Sequence, residues 1–95
     1  MKRLAYSPQA LADLRDIAIY IAEDDPDRAI SFVAELERKA VLAAVRPSSF
    51  RERSDISAGL RMMIHGRYLI FFRELADEVR IVRFLHGARN LGDLF

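Results

Sequence analysis

Cysteine is absent from the 95 residues, which excludes disulfide bridges and every thiolate metal site. Histidine is scarce as well. His65 and His86 stand far apart in the chain, and the carboxylates fall mostly on the outer sides of expected helices, so no metal site is expected. The four glycines include no phosphate-cradling run, so no nucleotide or other cofactor is implied. Long apolar runs are missing too. Ile17–Ala22 and Ala40–Val45 are the longest and fall far short of the roughly 18 residues a membrane span needs. Lys2 and Arg3 open the chain without a following apolar stretch, so no signal peptide is expected. A net charge of only +1 argues against a generic nucleic-acid binder. Together these absences fit a cytoplasmic protein that makes no direct contact with nucleic acid and none with a membrane.

What is present is a hydrophobic fraction of 52% with balanced charge, enough for one folded domain spanning 1–95. A chain this short buries roughly 60–65% of its unfolded surface. Its charge is unevenly placed. Residues 1–45 carry six Lys/Arg against eight Asp/Glu, whereas residues 46–95 carry nine basic residues, all arginine, against six acids. Arginine offers a rigid fork of donors suited to carboxylates, phosphates and interfaces.

Lys2–Tyr6 reads as a short strand, closed by Ser7-Pro8, an N-cap followed by proline at the first helical position. Leu11, Leu14, Ile17, Ala18, Ile21 and Ala22 then recur at helical spacing. Asp25-Pro26 starts a second helix, which Arg46-Pro47 stops near Val45. So short a turn makes the two helices an antiparallel hairpin. The second helix is apolar on two sides. Ala29, Phe32, Leu36, Ala40 and Ala43 form one stripe, and Ile30, Val33, Ala34, Val41 and Ala44 the other. Pro47–Gly59 reads as a loop. Leu60–His65, Tyr68–Arg73 and Val79–Leu85 are strand candidates, with His65-Gly66 as the tight turn between the first two. The expected fold is α+β, in the order β-α-α-β-β-β: an antiparallel sheet with a helical hairpin on one face. In the last strand, Val79, Ile81, Arg83 and Leu85 alternate with Arg80, Val82, Phe84 and His86, so the pattern does not say which face the helices cover. The uncovered face is expected to show apolar side chains and arginines, which is interface chemistry.

The ordered set of Ser7-Pro-x-Ala-x-x-Asp-Leu14, Arg46-Pro47, Gly59-Leu-Arg61, Tyr68-Leu-Ile-Phe-Phe72 and Arg80-Ile-Val-Arg-Phe-Leu-His-Gly-Ala-Arg-Asn-Leu91 resembles ParE toxins of the ParE/RelE superfamily. It departs at Asn90, where that family often has Asp, and at Phe72, where Tyr is common. The resemblance implies a toxin that inhibits DNA gyrase and is neutralised by a ParD-like antitoxin, whose flexible segment wraps the helix hairpin and sheet. The antitoxin-binding positions expected on that basis are Ile30, Val33, Leu36, Glu37, Ala40, Arg61, Arg73 and Arg83. Contacts with the target are expected at Arg83, His86, Arg89, Leu91 and Phe95, the last three in a tail too short to build a core of its own.

An enzyme is the alternative. RelE-like relatives cut mRNA on the ribosome, and attack of a 2′-OH on its phosphate wants a base, an acid and cations. His65, Tyr68, Arg61, Arg83 and His86 are the side chains that would supply them. Yet His65 is expected in a hairpin turn, Tyr68 in the core, and His86 as a strand-end cap or interface group. The preferred expectation is therefore a toxin that binds its target and has no catalytic residues.

Overall fold

Ser7 makes the first strand-to-helix transition. Its N–H donates to Ile81 O at 2.9 Å, its Oγ accepts from Ala10 N–H at 3.0 Å, and the same hydroxyl donates to Val82 O at 2.9 Å. One residue thus ends strand β1 (Arg3–Tyr6), caps helix α1 (Pro8–Ala22) and ties both to the last strand. In the computed structural model, which describes residues 2–88 and 91–95, the second helix starts in the same way. Asp25 Oδ1 accepts from Arg28 N–H at 3.0 Å, and Pro26 opens helix α2 (Pro26–Val45). Strands β2 (Arg51–Glu52), β3 (Leu60–His65), β4 (Tyr68–Glu74) and β5 (Glu78–His86) follow, and a 3-10 turn spans Leu91–Leu94.

The sheet order is β1-β5-β4-β3-β2, so the expected three-strand meander forms its centre. Three details differ from expectation. The sheet is not wholly antiparallel, because β1 runs parallel to β5, the helix hairpin serving as the crossover. The segment expected as a plain loop contributes β2, a two-residue edge strand on β3. The hairpin turn is Gly66-Arg67, not His65-Gly66. Gly66 alone takes a positive φ, +59°, the pattern of a type II′ turn. His65 is thus wholly part of β3, paired with Tyr68, and it faces α2.

A bulge decides the ambiguous last strand. Ile81 pairs with Phe72 and Arg83 with Phe71, leaving Val82 as the extra residue. Past it the alternation flips. Val79, Ile81 and Phe84 point at the helices, beside Met63, Ile70 and Phe72, while Leu85 joins Leu60, Met62 and Phe71 on the opposite face. Against the first set pack Leu14 and Ile17 of α1 and Phe32, Leu36, Ala40 and Ala43 of α2. Each large side chain there contributes about 1.5–3 kcal/mol. The helices therefore cover one face, as expected.

The other face is not open, which corrects the expectation of bare apolar sheet. Ile56, from the segment before β3, and Leu91 and Leu94, from the closing turn, lie over Leu60, Met62, Phe71 and Leu85. The ring of Phe95 meets that of Phe71 edge-on, with 5.0 Å between centroids. Arg73 holds the 53–59 segment in place, donating to Ala58 O and Ser57 Oγ at 2.7 Å each. Among the described residues, no helix is long and apolar enough to cross a membrane.

Candidate functional site

The second apolar stripe of α2 does what a stripe without a buried partner must do: it meets α1 only in part and leaves a groove. Ala18, Ile19 and Ala22 from α1, with Ile30, Val33 and Glu37 from α2, line a cavity of about 660 Å³ on the outer side of the hairpin. Ile19 is 56% and Ile30 74% exposed. Exposed branched aliphatics side by side, with a carboxylate at the rim, are the makings of a protein contact.

The structure sorts the expected antitoxin positions into two groups. Ile30, Val33 and Glu37 lie together in the groove. Leu36 and Ala40 do not belong with them. Both are fully buried beneath α2 against the sheet, because they sit on the first stripe. The three arginines are also committed elsewhere. Arg61 donates to Phe50 O at 2.7 Å, and Arg73 holds the segment before β3. Arg83 forms a two-pronged pair with Asp13 of α1, Nε at 2.8 Å and Nη2 at 3.0 Å. Asp13 accepts from Phe84 N–H as well, at 3.0 Å, so one carboxylate saturates a guanidinium and a strand edge together. That contact holds Arg83 in its charged form more firmly than usual.

The expected target contacts are also split. Leu91 and Phe95 lie on the face away from the helices, Arg83 is held at the β5 edge, and Arg89 falls outside the described residues. His86 faces the helices at the far end of the sheet. There its Nδ1 accepts from Ala88 N–H at 3.1 Å, so the neutral ring carries its proton on Nε2.

Around His86 the chain assembles a cluster that sequence reasoning missed. The Tyr68 ring meets the His86 ring edge-on at 5.3 Å, Phe32 lies 5.5 Å from both Tyr68 and His65, and the Arg28 guanidinium sits 5.0 Å over Phe32. Glu35 links α2 to β3, accepting from Arg28 and meeting His65 Nε2 at 2.8 Å. The Arg28 guanidinium first, and His65 second, hold the Glu35 carboxyl down at about 2. Burial first, and the neighbouring Tyr20 second, push the Tyr68 phenol up, so it stays a neutral donor. These residues come from both helices and three strands, and no spacing in the sequence places them together. Tyr68, expected in the core, is half-buried and packs against it.

These elements make a small α+β domain with a self-covered sheet and an apolar groove on its helix hairpin. The family described as the ParE toxin of the type II toxin-antitoxin system, parDE, matches residues 4–91. Toxin ParE1 of Caulobacter vibrioides is 30% identical over 91 residues, covering 95% of this chain and 94% of that protein. A solved structure described as a chromosomal ParDE TA system from P. aeruginosa superposes with a TM-score of 0.78, covering 90% of this chain and 96% of that one at 21% identity, and so shares the fold. The chain belongs to the ParE toxin family.

Proposed function

We propose that this ParE-type toxin acts in the cytoplasm by binding rather than catalysis, with DNA gyrase as its target, and that a ParD-like antitoxin silences it by seating an amphipathic segment in the hairpin groove. The observation that carries this reading is the pairing of Ile19 and Ile30, both more than half exposed, along one continuous groove between α1 and α2. A helix with an apolar face would bury them, and basic side chains beside that face would meet Glu37. Against a nuclease speaks the placement of the required groups. Arg83 is locked by Asp13, Arg61 is spent on Phe50 O, and His65 is engaged by Glu35. Of the five side chains, only Tyr68 and His86 line one cleft.

The test is a binding measurement with the neighbouring antitoxin. Ile30→Glu places a charge in a desolvated contact, which costs a few kcal/mol, and should weaken the complex about a hundredfold while leaving the melting temperature unchanged. Purified toxin should lower gyrase supercoiling and leave ribosome-bound mRNA intact. Wild-type affinity in both Ile19→Glu and Ile30→Glu, or codon-linked mRNA cleavage lost in His86→Ala, overturns the reading.

A further inference from the structure

A second concavity shares no residue with the hairpin groove. It lies under the α1–α2 turn, at the end of the sheet, and has two lobes. The larger, of about 560 Å³, includes Arg28, Phe32 and Arg67 in its lining, and the smaller, of about 180 Å³, includes Asp13 and Asp16. Tyr20, Tyr68 and His86 line both, so the lobes are one cleft with an aromatic middle. The cleft is basic at one end, acidic at the other, and aromatic between, with the Tyr68 and His86 rings set edge-on to each other.

The free valences at each end can be counted. Arg28 spends part of its fork on Glu35 and Ser31, leaving its Nε–H and one Nη2–H. The Arg67 guanidinium, on the hairpin turn, has no hydrogen-bond partner among the described residues. At the acidic end the Asp13 oxygens already accept three hydrogen bonds, two from Arg83 and one from Phe84 N–H, whereas Asp16 has no donor among the described residues. A ligand matching this pattern carries a compact anion, then a planar ring, then two adjacent donors for a carboxylate. A nucleoside monophosphate supplies the first two. Among the bases, guanine alone offers the third, its N1–H and N2–H pair lying along one edge. Adenine sets a lone pair beside its single amino group there and repels a carboxylate, and a pyrimidine covers less of the aromatic middle.

We propose that this cleft is a guanine-nucleotide site, with the phosphate held by Arg67 and Arg28, the base on Tyr20, Tyr68 and His86, and the guanine donor edge on Asp16. No glycine-rich loop is needed, because guanidinium forks take the place of backbone amides. The site is separate from the antitoxin groove, so ligand and antitoxin bind together, and the site stands or falls independently of the hairpin reading.

Titration of the full chain with guanosine 5′-monophosphate, followed by the His86 ring resonances and by calorimetry, should saturate with a dissociation constant of about 0.1–1 mM, as befits an open cleft. Arg67→Ala and Tyr20→Ala, both at exposed positions, should each weaken binding about tenfold without moving the melting temperature. Asp16→Asn should abolish the preference for guanosine over adenosine 5′-monophosphate. Inorganic phosphate alone should leave the His86 resonances unmoved. The proposal fails if no saturation is reached by about 10 mM, if phosphate reproduces the shifts, or if Arg67→Ala and Tyr20→Ala both bind as wild type.

Discussion

Deleting Leu91–Phe95 is expected to cost the fold a large part of its stability. Leu91 and Leu94 are half-buried against Leu60, Met62, Phe71 and Leu85, and the Phe95 ring packs on Phe71 while remaining 40% exposed. Full burial of such a side chain is worth about 1.5–3 kcal/mol. Taking roughly half of that for each of the three gives about 3 kcal/mol, before any penalty for leaving Phe71 and Leu85 bare to water. In a domain of this size each kcal/mol shifts the melting temperature by about 4–8 °C, so the deletion should lower it by about 12–24 °C. Circular dichroism melts of the full chain and of residues 1–90 measure this directly. Phe71→Ala sets the scale, since a fully buried phenylalanine should cost about 3–5 kcal/mol. A melting temperature within about 4 °C of the full chain, with Phe71→Ala still strongly destabilising, would refute the packing and return the segment to service as a free arm for the target.

Three further outcomes follow from particular contacts. Asp13→Ala strands a guanidinium that is 14% exposed and an edge N–H, and should cost about 2–4 kcal/mol in urea denaturation, where a loss below about 1 kcal/mol would show that Arg83 finds water instead. Because Glu35 titrates at about 2 in the fold and near 4.5 outside it, its contribution is complete above pH 4.5 and drains away as pH falls towards 2. Glu35→Gln should therefore flatten the acid side of the stability profile, and an unchanged slope between pH 4.5 and 2 would count against the Arg28–Glu35–His65 link. Gly66→Ala meets no atom within 4 Å but must hold a φ of +59°, so chemical denaturation should show a loss of about 1 kcal/mol from backbone strain alone, and no loss would mean that the turn rearranges.

Periodicity and capping residues carried most of the fold. Ser7-Pro8 and Asp25-Pro26 start the helices where expected, and the first stripe of α2 is the buried one. What periodicity could not show was the Val82 bulge, which adds a residue to the two-residue repeat and reverses the facing of everything after it. The same limit hid the cover on the far face. Ile56, Leu91 and Leu94 lie in irregular segments, whose apolar residues have no period to declare their direction. In the candidate site, the groove followed from the surplus stripe of α2, whereas Leu36 and Ala40, expected to meet the partner, sit on the stripe that the fold buries, since composition does not rank two apolar faces of one helix. Arg61, Arg73 and Arg83 hold contacts within the chain that no spacing announces. A guanidinium wanted by a partner and one spent on the chain's own carbonyls look identical in sequence.

The carboxylate of Asp13 and the hydroxyl of Ser7 occupy the outer rim of β5 beyond the reach of β1. The remaining borders of the sheet are β1, four residues beginning at Arg3, β2, a two-residue Arg51–Glu52 strand, and the short Met63–His65 end of β3 that β2 does not reach. Short, charged or plugged borders offer a poor template for strand addition, so copies of the chain have little means of zippering together through their backbones. The stopper at Asp13 thus favours solubility of the free chain, and replacing it opens a route to fibrous or amorphous self-association.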